Sequence, residues 1–291
     1  MGSPVLLYLY AILAAQDTVA AALEADPVAG VERAPVHLLT EGELMAAVSE
    51  VPAAEYDEEP LNRQIGDLAW LAPRAAAHQA VNARLFELSE AMLPLPFATL
   101  FRRPQAVQAL LRQRREEFWE GLSQVRGRAE WVVTLTADPA AVEAALESSS
   151  AALGEVRRAM VTGGPGRAYL LKRRLEEVRR EEQRRSDAQA VDTLLTSLEQ
   201  VAERTHREPV ASLATLGAEV AGAGGAGAAP RAPEAAQRPL ARLSLLVRRA
   251  DEAGLRDSLA RLNAAWAGRG YQVHGTGPWP CYRFGGRQLR P

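Results

Sequence analysis

A chain of 291 residues that is 47% hydrophobic and 24% charged carries enough apolar mass for two modest soluble domains. Its 34 basic and 36 acidic side chains nearly cancel, which excludes a global field that would draw nucleic acid or an acidic bilayer. One cysteine, Cys281, excludes an intramolecular disulfide and a cysteine-based zinc site and points to a reducing cytoplasm; no apolar run reaches the roughly 20 residues that cross a bilayer, so no membrane insertion is expected.

In chain order, residues 4–12 are dense in Leu, Val and Tyr and predict a buried strand. No basic residue precedes this stretch, the first being Arg33, so it reads as a strand and not as a secretory signal. Residues 15–25 are alanine-rich and helical, ending before Pro27. Two short strands, 36–39 and 44–51, flank Glu41-Gly42, and an acidic loop, 55–60, leads into a helix over 61–71. Pro73 is expected to restart a helix that runs to about residue 91. The segment 93–101, LPLPFATLF, contains Pro94 and Pro96 and must be an edge or irregular strand. The order β-α-β-β-α-α-β is a modified ferredoxin-like arrangement over residues 1–103.

The remainder, 104–291, reads as a second α+β unit. A helix over 104–125 opens with Pro104, a strand covers 130–136, and Asp138-Pro139 is a helix start signal, with Asp as cap and Pro at the first position. A long antiparallel helical hairpin is expected over 139–206. Its apolar stripes are Val142, Leu146, Leu153, Val156 and Met160 on one arm, then Leu171, Leu175, Val178, Val191, Leu194 and Leu198 on the other. The turn between them is Gly163, Gly164, Pro165, Gly166 and Arg167. Residues 217–239 are rich in Gly, Ala and Pro and predict a flexible linker. A β-α-β run over 240–284 follows: strand 240–247, helix 252–266, strand 271–274, with TGPWPCYRF trailing. The hairpin thus reads as the first crossover of a second split-βαβ, ferredoxin-like part.

No motif carries catalytic chemistry. GGPGR lacks the Lys-Ser/Thr of a phosphate loop and follows a helix instead of a strand, so it reads as a helix–helix turn; the remaining functional reading is an anion site at the amides after Gly166, beside Arg167. His37, His78, His206 and His274 include no pair three or four apart, so no helical metal pair exists. Cys281 lies between Trp279 and Tyr282 and reads as a packed thiol. Ser49 and Ser123 sit in no nucleophile elbow. Neither a cofactor nor an enzyme is indicated.

The run 172–185 holds seven bases, Lys172, Arg173, Arg174, Arg179, Arg180, Arg184 and Arg185, among four glutamates. Opposite charges four apart, such as Lys172/Glu176, Arg173/Glu177, Glu176/Arg180 and Glu181/Arg185, are each worth about 0.3–0.5 kcal/mol. The run reads first as a solvated face and second as a docking surface for a charged partner.

Several stretches together carry a resemblance: LYLYAI, AAVSEV, NRxxxDLAWLAPRAxxHxAV at 62–81, LPLPFATLF, RGRAEWVV, GGPGRAYLLKRR and the closing TGPWPCYRF. In this order they resemble the GvpL/GvpF family of gas vesicle proteins over nearly the whole chain outside the linker. The resemblance implies a modified ferredoxin-like N-terminal domain and a C-terminal domain combining a coiled-coil hairpin with a second ferredoxin-like part. It implies a non-enzymatic accessory protein, cytoplasmic and gas vesicle-associated, whose partners are the hydrophobic shell protein GvpA and other Gvp proteins during nucleation or early assembly. No catalytic residue is carried over; Gly163 to Arg167 and Gly277, Pro278, Trp279 and Pro280 are structural motif positions. For partner binding, the edge around Phe97 and Phe101 is a candidate for strand addition, set against the simpler expectation that it closes its own sheet. Competing readings are a small-molecule-sensing ferredoxin-like module and a generic coiled-coil adaptor. The motifs do not separate GvpL from GvpF.

Overall fold

The computed structural model describes residues 4–162, 165–209 and 237–285. Its first sheet is built on β1 (Val5–Ala14), whose unbroken apolar run is buried from Leu6 onward. A strand buried on both faces needs no polar alternation. β2 (His37–Glu41) and β3 (Leu44–Pro52) follow α1 (Asp17–Ala25), and β4 (Met92–Pro94) and β5 (Leu100–Phe101) complete an antiparallel sheet ordered β2-β3-β1-β4, with β5 also on β1. A bulge between Leu9 and Ala11 puts Tyr10 and Ala11 on the same face. Leu6, Tyr8, Tyr10 and Leu13 therefore pack under Val19, Tyr56, Val81 and Leu85, while Leu7, Leu9 and Ile12 meet Leu111, Phe118 and Leu122 on the other side.

The helices between β3 and β4 differ from expectation. They are α2 (Ala53–Tyr56), α3 (Glu58–Gln64) and α4 (Leu68–Leu88). Pro73 does not restart a helix; it lies inside α4, which is capped by Asp67, whose carboxylate accepts the Ala69 N–H at 2.9 Å. The helix expected over 104–125 is two, α5 (Pro104–Gln113) and α6 (Arg115–Val125), because Arg114 leaves helical geometry at φ −110°, ψ 24°.

The second sheet is antiparallel in the order β7-β8-β6-β9, from β6 (Arg128–Ala137), β7 (Arg204–Arg207), β8 (Arg238–Arg248) and β9 (Tyr271–Trp279). One face, carrying Trp131, Val133, Leu135, Leu243 and Leu245, is covered by α7 (Pro139–Ser149), the end of α9 (Pro165–Leu198) and α10 (Glu252–Trp266). Asp138 caps α7 through the amides of Ala140 and Ala141, as the Asp-Pro signal requires. The hairpin expected over 139–206 is corrected in two places. Its first arm breaks at Ser150 into α7 and α8 (Ala151–Thr162), and its second arm ends at Leu198, after which residues 204–207 form β7 on β8. Gly163, Gly164 and most of the linker expected over 217–239 lie outside the described residues; its last residues, Arg238 and Pro239, are in β8.

The two sheets meet at the end of α4. Arg249 donates to the carbonyls of Phe86 (2.8 Å) and Ser89 (3.1 Å), with its guanidinium over the Phe86 ring. Leu246 of β8 joins Phe118 and Leu122 in the core behind β1.

Candidate functional site

The segment that carries Phe97 and Phe101 runs along the free edge of β1. β4 pairs Leu13 with Met92 and Ala11 with Pro94, and the Leu95 N–H then reaches the Tyr10 carbonyl at 2.8 Å. The chain loops outward over residues 96–98, where Ala98 adopts φ 61° and donates its amide to Tyr8 Oη. It returns when Leu9 N–H meets the Thr99 carbonyl and β5 pairs Leu7 with Phe101. The segment thus closes its own sheet. Phe97 is half-buried, edge-on to Tyr8 and His78 at 5.9 Å from each.

Beyond this edge lies a cleft of about 860 Å³. Its floor is Leu6, Leu93, Pro94, Phe97, Leu100 and Phe101; Tyr56, Asp57, Glu58 and Leu61 form one wall, and Cys281, Tyr282 and Gly285 close it. Tyr56 is held by donating to Glu32 Oε1 at 2.8 Å. The closing tail is pinned from a helix and a sheet: Tyr282 Oη accepts from Asn82 and donates to Gln79 on α4, and the Arg283 N–H donates to Glu130 on β6. Burial pushes the Cys281 thiol up to about 12, so it is an inert packed thiol. His78 touches Tyr8 and Asn82 in the core, and burial pushes it down to about 4, so it packs as neutral imidazole.

The cationic run lies on α9, where α9 and α8 pack as a two-helix arm. Arg179 is half-buried and reaches Glu147 at 2.7 Å and Glu143 at 3.2 Å. Arg173 and Arg174 share Glu177, Arg184 pairs with Glu181, and Arg185 with Glu182. Of the expected four-apart pairs, Arg173/Glu177 is formed; the neighbouring pairs use three-apart geometry instead. The flank is therefore largely charge-compensated. Arg179→Ala should cost under about 1 kcal/mol in urea unfolding, because its ion pairs are partly solvated.

The tip of the arm differs. Val161, Tyr169 and Leu170 are 88%, 75% and 65% exposed, and Arg158, Arg167 and Lys172 beside them form no ion pair among the described residues. The sequence reading passed over this apolar tip. Its signal was present: residues 156–175 contain six bases and no acid around large apolar side chains.

The closing TGPW lies in β9 across Trp131. A Cβ at Gly277, which has φ 149°, would sit 2.8 Å from the Trp131 ring, and one at Gly275 would sit 2.6 Å from Leu259. Gly277 is needed for the indole to pack, and a side chain at Gly275 would displace Leu259 instead. The family model described as "Gas vesicle synthesis protein GvpL/GvpF" matches residues 6–285. The chain belongs to the GvpL/GvpF family. It is 32% identical over 264 residues to gas vesicle protein L of Streptomyces sp. (strain CB03234), covering 88% of this chain and 85% of that one. Gas vesicle protein L1 of Halobacterium salinarum is 23% identical, over 95% and 89% of the two chains. The crystal structure of the gas vesicle protein GvpF from Anabaena sp. PCC7120 shares the fold at a TM-score of 0.65 and 14% identity, covering 97% of this chain and 98% of that one. GvpF from Microcystis aeruginosa does so at 0.59.

The remaining GvpL/GvpF motif residues have plain structural places. Pro165 opens α9, Arg167 is exposed at the tip, and Pro278 and Trp279 complete β9 before Pro280 leads into the tail. The structure brings Phe97 and Phe101 together on one cleft, and it places the cations of 172–185 apart from them, along the arm.

Proposed function

We propose that this chain is a non-enzymatic, cytoplasmic accessory protein of gas vesicle formation that binds the shell protein GvpA in the cleft along Phe97 and Phe101, with other Gvp proteins as further partners. The observation that carries the site is the mostly apolar lining of that cleft, set against the charge-compensated flank of the arm. An apolar shell subunit must be covered before it polymerises, and an open apolar groove beside a sheet edge can hold an extended segment. Two units, 1–103 and 104–291, frame it. We read each as ferredoxin-like, since both sheets place their strands in the order second, third, first, fourth, with β5 as an addition on β1 in the first; the arm is read as a coiled-coil hairpin inserted in the second unit.

The test is co-purification of the tagged chain with co-expressed GvpA. Phe101→Lys with Leu61→Lys should reduce retention severalfold while circular dichroism shows a folded protein. Full retention by the folded variant would overturn the cleft as the site. Reversal of Lys172, Arg173 and Arg174 in the same assay is expected not to lower GvpA retention; its loss would move the site to the arm.

A further inference from the structure

The tip of the arm and the rim of the cleft are complementary. Val161, Tyr169 and Leu170 stand exposed among Arg158, Arg167 and Lys172. The cleft offers an apolar floor with two carboxylates in its lining, Asp57 and Glu58, and Glu55 and Glu59 adjoin them in the chain. Arg74 holds Glu55, Arg102 holds Asp57 and Arg63 holds Glu59, so Glu58 is left without an ion pair among the described residues, beside an exposed Glu59. Arg102 is the one basic side chain in the lining among the described residues.

The arm is long enough to act outside its own body. Ala190 is the first residue of α9, among those with a described side chain, to be buried, 21 residues beyond Tyr169; at 1.5 Å per residue the tip stands about 32 Å along the helix from that root. Between tip and root, α9 is covered by α7 and α8 through half-buried side chains such as Leu171, Leu175 and Val178.

We propose that the arm tip of one copy docks in the cleft of a second copy, with Tyr169 and Leu170 on the apolar floor and Arg167 and Lys172 facing Glu58 and Glu59. Tip and cleft are different surfaces, so two copies can exchange arms reciprocally about a two-fold axis, or each copy can pass its tip to the next and add head to tail as concentration rises. Apolar contact supplies the attraction, and the charges fix the partner and its orientation. The proposal rests on the reading above only in using the same cleft: a docked tip and GvpA exclude one another there.

Sedimentation velocity of the full chain without GvpA tests it, so a failure here leaves the co-purification result standing on its own. The wild type should gain mass with concentration, to a dimer by reciprocal exchange or beyond it by head-to-tail addition. Arg167→Glu with Lys172→Glu, and separately Glu58→Lys with Glu59→Lys, should each weaken association about tenfold or more. All four side chains are exposed, so both variants should keep the wild-type melting profile. Combining the four substitutions in one chain restores opposite charges and should restore association. A wild type that stays monomeric, unchanged association in either variant, or no recovery in the combined variant overturns the proposal.

Discussion

Leu194→Ala should lower the unfolding free energy by about 2–5 kcal/mol, the largest loss we expect from any single truncation on the arm. Leu194 has no exposed surface and lies where α9 joins the second sheet, within the cluster that holds Val133, Leu243, Leu259 and Trp266. Removing three carbons there leaves a void walled by three helices and a sheet, and such a site relaxes poorly. The change can be read by urea unfolding, where the midpoint should fall with little change of slope. Leu175→Ala, at a half-buried position on the outer arm, should cost much less. Equal losses at the two positions would mean that the outer arm is as tightly packed as the root. The contrast matters for function, because a thin arm anchored at one end can project its tip without the core being disturbed.

How legible each element was follows from its chemistry. β1 could be read because ten consecutive apolar or small residues have no other soluble use, and α10 matched its expected bounds because a stripe at spacings of four and three, Leu255, Leu259 and Leu262, lies between clear breaks. β7 was missed because all four of its residues, Arg-Thr-His-Arg, are exposed: its pairing is supplied by the edge of β8, some 40 residues on, and no apolar pattern records it. The break at Ser150 had a local signal that was passed over. Three serines in a row favour caps over helix interiors, and the Ser150 hydroxyl accepts the Leu153 amide at 3.3 Å. At the cleft, Phe97 and Phe101 were found from the proline-interrupted edge, whereas the closing wall was not. Tyr282 meets Asn82 across 200 residues of sequence, and nothing in either neighbourhood encodes that meeting.

Glu130→Gln should remove a pH dependence of stability and make the protein more stable above neutrality. Glu130 is only 7% exposed, and the pKa of its carboxyl is raised from 4.5 to about 7. Burial is the main cause; the Arg283 amide and the Arg283 charge pull the other way, and Glu208 adds a like charge. Below pH 4.5 the group is protonated in both folded and unfolded chains, and its contribution is fully present. As pH rises towards 7, the unfolded chain gives up the proton while the folded chain keeps it, so stability falls through this window and is level beyond it. At 1.36 kcal/mol per pKa unit, the loss is on the order of 3 kcal/mol. The glutamine amide oxygen can accept the same Arg283 N–H at 2.8 Å without a charge to desolvate. The difference between variant and wild type, measured by urea unfolding across a pH series, should therefore be small near pH 4.5 and should grow to about 2–3 kcal/mol in favour of glutamine by pH 8. Other titrating groups are common to both proteins and cancel in that difference. A gap that stays constant with pH would show that Glu130 ionises alike in the folded and unfolded chains. Because the substitution keeps the bond that holds the tail, the cleft wall at Cys281 and Tyr282 stays in place, and GvpA retention by the folded variant should equal that of the wild type.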